Sequence, residues 1–372
     1  MATTYSPGLE GITAGITAIS EVDADRNELI YRGYNIRQLV KHVCFDEVAH
    51  LLIYGDLPNA AELAEFMKLV GVNRAVPGSV YDLYRTFPQD AHPMDALKTA
   101  VSFLGMFDPE KESISHSANV NKAVRLYAQI PNLVVNGYRI MHGQEPILPD
   151  PDLEHTGSFF QMLTGQTRTD FFAEALDATQ ILYAEHGFNA STFSARVTVS
   201  TLSDLHSGVV SAIGTLKGPL HGGANEAAMA MLLEIGDPAH AAEWIQDALA
   251  KKKKIMGFGH REYKHGDERA KIVKQYCIKL AHQIGSKKWT EVSQIVEDEM
   301  MKAKGLYPNL DFPVAGLYYM MEIPIELYTP IFVMSRITGW CAHIIEQLDN
   351  NRIIRPHNEY NGPRDRNVEG RG

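Results

Sequence analysis

Three short segments, far apart in the chain, each place a reactive side chain among glycines and prolines. They are Gly218–Glu226, Gly257–His260 and Pro308–Pro313, and they carry His221, His260 and Asp311 in that order. Glycine and proline give the backbone unusual paths and let a ligand approach the main chain closely. Two imidazoles and one carboxylate held in this way could remove and deliver protons in a concerted reaction. The set of three therefore predicts an acid–base site.

Taken singly, His221 and Asp311 each have a structural alternative. His221 precedes a predicted helix that begins near Ala224, so it could cap that helix or face an anion or polarised carbonyl at the helix N-terminus. Asp311 could likewise cap a helix that has Pro313 in its first turn. Apolar residues surround Asp311, however, and a carboxylate in such a place needs a partner or a raised pKa.

Arg336 and His186 also stand in apolar surroundings. Arg336 lies in a predicted apolar helix, and a buried guanidinium must meet an anion, which is either a structural carboxylate or a ligand. Successive steps of four and three residues place five side chains on one face of a predicted helix: Phe172, Leu176, Thr179, Tyr183 and His186. On such a face His186 can be either a core residue or a ligand contact.

A metal centre is the other chemistry that these residue types could support. His186, His221, His260 and Asp311 would supply three imidazoles and one carboxylate. No two of them have the close spacing that is usual in metal-binding motifs such as HExxH. The sequence therefore favours a site without a metal.

The composition is that of a globular protein of roughly two domains, with 372 residues, 45% of them hydrophobic and 22% charged. A net charge of −10 argues against non-specific binding to nucleic acid. Lys251 to Lys274 nevertheless holds nine basic residues against three acidic ones, and this basic cluster could attract an anion. Its first four lysines also fit a solvated helix end.

Other features of the sequence favour the cytoplasm. The three cysteines are too widely spaced for a disulfide framework or a CxxC metal site, and a reducing compartment suits them best. The first eight residues lack the basic and apolar regions of an export signal. Pro330–Ile345 is the most apolar stretch, but Arg336 and His343 interrupt it, so it predicts a buried helix rather than a membrane span.

The elements that must position these residues are mostly helical, without the alternation of strands and helices that builds a parallel sheet. Ile16–Ser20 and Glu28–Arg32 flank a polar turn and predict one small hairpin. Thr329 and Pro330 predict the N-cap and first residue of a long helix. The residues after Arg355 predict an extended arm.

Taken together, the segments resemble citrate synthases, and the resemblance runs nearly from end to end. The matching segments are Gly8–Ile12, Tyr31–Ile36, His186–Thr192, Leu216–Glu226, Gly257–Arg261, Pro308–Phe312, Tyr328–Phe332, Arg336–Trp340 and Arg352–Pro356. The resemblance implies an all-α, two-domain citrate synthase fold. Residues 1–217 and 324–372 would form a large helical domain, and residues 218–323 a smaller mobile helical domain, with boundaries in stretches rich in glycine or proline.

The resemblance implies an enzyme that condenses acetyl-CoA with oxaloacetate and water and releases citrate and CoA, with acetyl-CoA as a substrate and no cofactor. Asp311 matches the base that removes a proton from the acetyl methyl group. His221 matches the group that hydrogen-bonds the thioester oxygen, and His260 the group that polarises the oxaloacetate carbonyl. Because a thioester α-proton is very weakly acidic, its removal must coincide with stabilisation of the enolate oxygen.

The resemblance also implies binding residues and a partner. Three arginines match the carboxylate clamps of the family, and two further residues match its other oxaloacetate contacts: Arg269, Arg336, Arg355, His186 and Asn189. Four residues match the CoA side: Leu216, Lys217, Gly218 and Lys264. We expect at least a homodimer in which each site borrows Arg355 from the other subunit, and neither a nucleic-acid nor a membrane partner.

The chain departs from the family pattern at several positions. Pro313 and Val314 follow Asp311-Phe312, where the commoner text is Asp-Phe-Tyr-Ser, so 2-methylcitrate synthase, which uses propionyl-CoA, stays open as an alternative. Glu268 stands in place of a usual proline on the CoA side. The long N-terminal extension of the NADH-inhibited type is lacking, so we expect no such regulation. A helical protein that only binds CoA or dicarboxylates is the alternative from another class, but binding alone would not need a base.

Overall fold

A computed structural model describes residues 5–263 and 265–366, and within these ranges the architecture is helical, which confirms the expected all-α fold. The first eight helices are α1 (Ile36–His42), α2 (Phe45–Tyr54), α3 (Ala60–Asn73), α4 (Gly78–Arg85), α5 (Pro93–Gly105), α6 (His116–Met141), α7 (His155–Thr164) and α8 (Phe171–Tyr183). The next eight are α9 (Ala190–Val199), α10 (Leu205–Leu216), α11 (Ala224–Ile235), α12 (Pro238–Ala250), α13 (Glu268–Gln283), α14 (Lys288–Lys304), α15 (Asp311–Met320) and α16 (Tyr328–Asp349). Short 3₁₀ turns occur at Pro7–Leu9 and Ile325–Leu327.

A three-stranded sheet near the N-terminus confirms the expected hairpin. Its strands are β1 (Ser20–Asp23), β2 (Glu28–Tyr31) and β3 (Tyr34–Asn35), paired antiparallel in that order. The first strand begins later than expected because the Ala18 N–H donates to the Glu346 carboxylate at 2.8 Å instead of to a neighbouring strand.

The helix α16 is the centre of the core. It is buried along nearly all of its length and packs against α6, α8, α9 and α10, which confirms the expected buried helix. Between residues 224 and 320, α11, α13 and α14 pack around α15, and α12 packs on α14. Over the described ranges no helix is both long enough and apolar enough to cross a membrane. The division at residues 217/218 and 323/324 stays a prediction.

Two helix ends differ from the expectation. A 3₁₀ turn leads directly into α16, so the helix begins at Tyr328 and Thr329 is not its N-cap. The proline at the third helical position is still tolerated, because the first N–H groups of a helix have no intrahelical acceptor. The helix α8 ends at Tyr183, so His186 lies beyond the helix on which its spacing had placed it.

Candidate active site

Two of the predicted segments, Gly257–His260 and Pro308–Pro313, are bound to each other along their backbones. The Asn309 N–H donates to the Gly257 carbonyl at 2.9 Å, and the Asn309 side-chain amide donates to the Gly259 carbonyl at 3.1 Å. The reactive residues of both segments are therefore carried on adjoining loops.

Gly257 lets these loops pack against α15. Its φ of +80° lies in the left-handed region, and a Cβ at this position would lie 2.7 Å from Cβ of Phe312. Because any side chain would clash there, glycine is required for the loop to touch the first turn of the helix that carries Asp311.

Asp311 is the first residue of α15 and does not cap it: Leu310 occupies the N-cap, which makes no side-chain hydrogen bond, so the cap alternative is wrong. The Tyr183 hydroxyl donates to Oδ1 of Asp311 at 2.7 Å. Burial raises the pKa of Asp311 to about 6, and the hydrogen bond from Tyr183 opposes part of that rise. This carboxyl group can therefore take up and release a proton near neutral pH.

His221 lies in the turn that connects α10 to α11. The Gly222 N–H donates to the Leu216 carbonyl at 2.9 Å, and a Cβ on Gly222 would lie 2.6 Å from the Leu216 side chain. The turn therefore needs glycine to close onto the end of α10. The N-cap of α11 is Gly223, without a side-chain hydrogen bond, so His221 does not cap this helix.

Burial, together with the charge of Arg336, lowers the pKa of His221 to about 3, so its imidazole is neutral at physiological pH. Nε2 of His221 lies 2.8 Å from Oγ of Ser191, and the Trp340 indole N–H donates to the same Oγ at 3.1 Å. Trp340 can only donate, and the Ser191 hydroxyl donates to the side-chain oxygen of Asn189, so Oγ is bound on three sides. This contact holds the ring of His221 in place.

Ser191 was not predicted as a site residue. It lies at the start of α9, inside a segment that carries the family resemblance, and its Oγ donates to Oδ1 of Asn189 at 2.7 Å. Asn189 caps α9 by accepting from the Thr192 N–H at 3.1 Å. A serine near a helix start is usually explained by local capping, so its spacing alone did not indicate the contact with His221.

His186 and His260 meet edge to face, with ring centroids 5.0 Å apart. Nδ1 of His260 accepts from the backbone N–H groups of Glu262 at 3.0 Å and Tyr263 at 3.2 Å, so its neutral ring carries the proton on Nε2. Burial and the charge of Arg269 lower the pKa of His260 to about 4. Burial and the charge of Arg269 also lower the pKa of His186 well below its usual value, and within the described ranges its buried Nε2 has no hydrogen-bond partner.

Arg336 is 1% exposed, and no carboxylate among the described residues forms an ion pair with it. Its Nε donates to the Tyr183 carbonyl at 2.6 Å, its guanidinium carbon lies 4.8 Å from the ring centre of Phe332, and its buried Nη1 has no partner in these ranges. Burial lowers the pKa of Arg336 to about 10, against the opposing charge of Glu185. The structural-carboxylate alternative is thus not supported, and the free donors suit an anionic ligand.

Arg269, the second residue of α13, is paired with Asp267. Oδ1 of Asp267 lies 3.0 Å from Nε of Arg269, and Oδ2 lies 2.8 Å from Nη2. Oδ2 also accepts from the Leu310 N–H at 3.1 Å, next to Asp311. Burial lowers the pKa of Arg269, but the Asp267 charge outweighs it and the net pKa is raised. Asp267, which was not predicted as a site residue, thus connects α13 to the loop that carries Asp311.

A series of contacts connects the reactive groups. The ring of Phe332 lies 6.2 Å from that of His221 and 4.0 Å from that of Tyr183, measured between ring centres. Tyr183 in turn binds Asp311 and, through its carbonyl, Arg336. The structure therefore gathers the three predicted reactive residues and the buried arginines around one site.

The predicted CoA residues lie at the end of α10 and beyond it. Leu216 is buried, Lys217 forms an ion pair with Asp95, and Gly218 follows directly in the chain. Lys264 lies outside the described residues. The CoA assignments stay predictions.

The basic cluster between Lys251 and Lys274 is partly neutralised by carboxylates. Four of its lysines form ion pairs: Lys251 with Asp247, Lys253 with Glu234, Lys271 with Glu268, and Lys274 with Glu297. The charge count of this segment therefore overstates the positive charge that it offers to an anion.

The structure does not bring Arg355 to this site. Arg355 lies on an arm without helix or strand, as expected, and the start of the arm is fixed to Ser200, whose Oγ accepts from the Ile354 N–H at 3.0 Å. Ser200 and Asn189 lie at opposite ends of α9, whose ten residues span about 15 Å. Arg355 is therefore held at the far end of this helix.

The described residues contain no cluster of metal ligands. Across residues 5–263 and 265–366, no three histidine, cysteine, aspartate or glutamate side chains are grouped as they would be around a metal ion. The expectation of a site without a metal stays a prediction.

Comparisons with known proteins match the chain over nearly its whole length. The family described as citrate synthase, C-terminal domain, matches residues 8–357. The chain is 46% identical over 363 residues to a 2-methylcitrate synthase of Mycobacterium tuberculosis, covering 98% of this chain and 92% of that protein. It is 45% identical over 361 residues to citrate synthase 2 of Bacillus subtilis, covering 97% and 96%.

Solved structures of citrate synthases also match nearly the whole length of the chain. The ternary complex of carboxymethyl coenzyme A and oxaloacetate with citrate synthase from Thermoplasma acidophilum has a TM-score of 0.93 at 34% identity, with 98% of each chain covered. The citrate synthase of Pyrobaculum aerophilum has a TM-score of 0.90 at 38% identity, with 97% of this chain and 93% of that chain covered.

Proposed function

The chain belongs to the citrate synthase family, whose members are acyltransferases of the EC 2.3.3 class, and on this premise we propose that it condenses acetyl-CoA with oxaloacetate and water to give citrate and CoA. One observation carries the proposal: a partly buried carboxyl group, Asp311, with a pKa raised to about 6, shares a site with two imidazoles whose lowered pKa values keep them neutral. Enol formation from a thioester needs this combination of a base and neutral hydrogen-bond donors.

In the proposed first step, Asp311 removes a proton from the acetyl methyl group while the neutral imidazole of His221 donates its ring proton to the thioester oxygen. The two events must coincide, since the enolate oxygen gains charge as the proton leaves. The contact of Ser191 with Nε2 of His221 supports this role because it holds the ring in place. The product of the step is an enol of acetyl-CoA.

In the second step, the enol carbon attacks the ketone carbon of oxaloacetate, and the enol proton returns to His221 as the thioester carbonyl re-forms. His260 donates from Nε2 to the ketone oxygen, which takes up that proton as the new carbon–carbon bond forms. The two backbone N–H groups on Nδ1 support this role because they fix the proton on Nε2. Water then attacks the thioester carbonyl carbon, the carbon–sulfur bond breaks, and CoA and citrate are released. Exchange with water removes the proton from Asp311 and restores the one that His260 gave up.

Oxaloacetate carries two carboxylates, and the site offers donors for them. Nη1 of Arg336 and Nε2 of His186 are buried without partners among the described residues, and Asp267 occupies only the Nε and Nη2 positions of Arg269. Charge-assisted hydrogen bonds from these groups would hold the substrate beside His260. Asn189, which lies beside Ser191, would add a further contact.

Two acyl-CoA thioesters, acetyl-CoA and propionyl-CoA, are candidate substrates. Relatives named as citrate synthases and as 2-methylcitrate synthases are almost equally similar to this chain, so propionyl-CoA is the second candidate. The test is thiol release from acetyl-CoA and from propionyl-CoA, each at the same concentration with oxaloacetate. We expect faster release from acetyl-CoA. Faster release from propionyl-CoA would favour 2-methylcitrate synthesis, and no release from either would refute the proposed function.

We also propose a homodimer in which Arg355 completes the site of the other subunit. Support comes from the arm that carries Arg355, which is fixed at the end of α9 away from Asn189. Arg355 would grip a substrate carboxylate, and its loss should raise the KM for oxaloacetate.

Mixing of subunits tests this arrangement. Chains with Arg355→Ala are allowed to exchange with chains that carry His221→Ala, each inactive alone at a limiting oxaloacetate concentration. In the heterodimer one site collects both defects and the other has neither, so random exchange should restore roughly a quarter of wild-type activity. If proven exchange restores no activity, Arg355 acts within its own chain.

A further inference from the structure

Tyr183 touches both the base and the buried arginine of the candidate site. It is the last residue of α8 and is 1% exposed. Its hydroxyl donates to Oδ1 of Asp311 at 2.7 Å, and its carbonyl accepts from Nε of Arg336 at 2.6 Å. Its ring packs on Phe332, with ring centres 4.0 Å apart. The residue is thus fixed at three points.

The hydroxyl of Tyr183 can act only as a donor to the base. Burial, together with the charge of Asp311, raises the pKa of Tyr183 well above its usual value, so the phenol stays protonated. Within the described ranges, Oδ2 of Asp311 accepts no hydrogen bond, whereas Oδ1 is occupied by Tyr183. One oxygen of the carboxylate is therefore held and the other is left for a substrate proton.

We propose that Tyr183 is a positioning residue for the base: its hydroxyl fixes the orientation of the Asp311 carboxylate and directs Oδ2 at the α-proton of the acyl group. This inference rests on the proposed function, because it requires Asp311 to be the base. Tyr183 precedes the predicted boundary at residue 218 and Asp311 follows it. The contact therefore aligns the base when the two parts of the chain are together.

A hydrogen bond that favours the ionised carboxylate also affects the pH dependence of the reaction. The charged and titratable groups that face Asp311 are Tyr183 on α8, Arg269 on α13, its N-cap Asp267, Arg336 on α16 and Tyr318 on α15. The hydroxyl of Tyr183 and the two arginines lower the pKa of Asp311, whereas Asp267 raises it. Because the base acts when deprotonated, loss of the hydroxyl should move the acid limb of kcat to higher pH.

The test is Tyr183→Phe, which keeps the ring and the backbone carbonyl that holds Arg336. We expect kcat to fall on the order of 10–100-fold, since a hydrogen bond to a charged group is lost. The acid limb should move to higher pH, and the isotope effect with trideuterated acetyl-CoA should increase, because proton removal becomes slower. The KM for oxaloacetate should change little.

Tyr318→Phe is the matched control. Tyr318 is equally buried, and its hydroxyl lies 2.7 Å from Oγ1 of Thr179 rather than on the base. It should leave the acid limb and the isotope effect as in the wild type. A folded Tyr183→Phe enzyme with the same acid limb and isotope effect as the wild type would overturn the inference.

A second variant keeps the inference testable if Tyr183→Phe melts too low for assay. A fluorinated tyrosine incorporated at position 183 keeps the ring and lowers the pKa of the phenol, which makes it a stronger donor. The acid limb should then move to lower pH, and an unchanged limb would also overturn the inference. Failure of the proposed function is distinguishable, because the wild-type enzyme itself would then release no thiol.

Discussion

Two buried arginines of the candidate site have different environments. Arg269 forms a bidentate ion pair with Asp267, and the net pKa of Arg269 is raised. Arg336 binds a main-chain carbonyl, has a buried Nη1 without a partner among the described residues, and has a pKa lowered to about 10. A buried charge without a counter-ion is costly, so Arg336 is the side that a ligand carboxylate would stabilise.

The Arg269–Asp267 pair mainly positions the base, and only the donors of Arg269 that Asp267 does not occupy are left for a ligand. Asp267 binds both Arg269 and the Leu310 N–H, so the pair fixes the residue that precedes Asp311. The difference teaches that burial alone does not assign an arginine to a ligand. The two arginines differ in the partner that each guanidinium has in the absence of ligand. Arg269 is paired with a carboxylate and helps to position the base, whereas Arg336 has no carboxylate partner among the described residues and is available to a ligand.

The largest expected effect is on kcat and comes from Asp311, the residue that the Arg269–Asp267 pair positions. Asp311→Ala should lower kcat by on the order of 10²–10⁴, which is what a general base contributes. Its KM for oxaloacetate should stay close to that of the wild type, because the unpaired donors lie on the Arg336 side. Turnover and thermal melting are measured on one preparation, with Asp311→Asn as an isosteric control. A variant that keeps most of its turnover would remove Asp311 from the role of base.

The next effect is on stability. Arg269→Met leaves Asp267 buried without its partner and should destabilise the fold by about 3–5 kcal/mol. Urea unfolding of the wild type and the variant measures this cost. The double variant Asp267→Asn with Arg269→Met should recover part of the loss, since no buried charge then remains unpaired. If Arg269→Met is as stable as the wild type, the structural role that distinguishes Arg269 from Arg336 is wrong.

For Arg336 the expected effect is on the binding of oxaloacetate. Arg336→Gln should raise the KM for oxaloacetate about 10–100-fold, corresponding to about 1.5–3 kcal/mol for a hydrogen bond to a charged group. The KM for acetyl-CoA should change far less. Arg37→Gln, which removes an exposed guanidinium from its ion pair with Glu268, is the control and should change either constant little. Equal effects of the two variants would contradict the assignment of Arg336.

The smallest expected effect is that of metal removal. The imidazoles of the site can stabilise developing charge by hydrogen bonding, so the proposed reaction needs no Lewis acid. Activity should therefore survive prolonged treatment with EDTA followed by desalting. Activity that is lost and then restored by a divalent ion would show that the site needs a metal.

The sequence predicted the helical fold and the reactive residues more fully than their partners. Local patterns of glycine and proline indicated His221, His260 and Asp311, because such patterns need only neighbouring residues. The contact of Tyr183 with Asp311 spans 128 positions and leaves no local pattern. The spacing of α8 wrongly extended the helix to His186, since a regular stripe does not report where a helix ends.

The pairing of charged residues also could not be predicted from neighbouring residues, because the partners are far apart in the sequence. The basic cluster between Lys251 and Lys274 indicated an anion site, but Lys253 and Lys274 pair with Glu234 and Glu297, outside the cluster. Conversely, Arg336 was expected to need either a structural carboxylate or a ligand, and only the fold shows that no such carboxylate pairs with it in the described ranges.

Thermal melting with and without oxaloacetate tests most directly the claim that Arg336 is an unpaired receptor for a substrate carboxylate. Without ligand, Arg336→Met should melt no lower than the wild type, because a buried charge without a counter-ion has been removed. Oxaloacetate at about 100 times its wild-type Kd should stabilise the wild type by about 2.7 kcal/mol and the variant far less. A variant that melts lower without ligand and gains as much from oxaloacetate as the wild type would contradict the account.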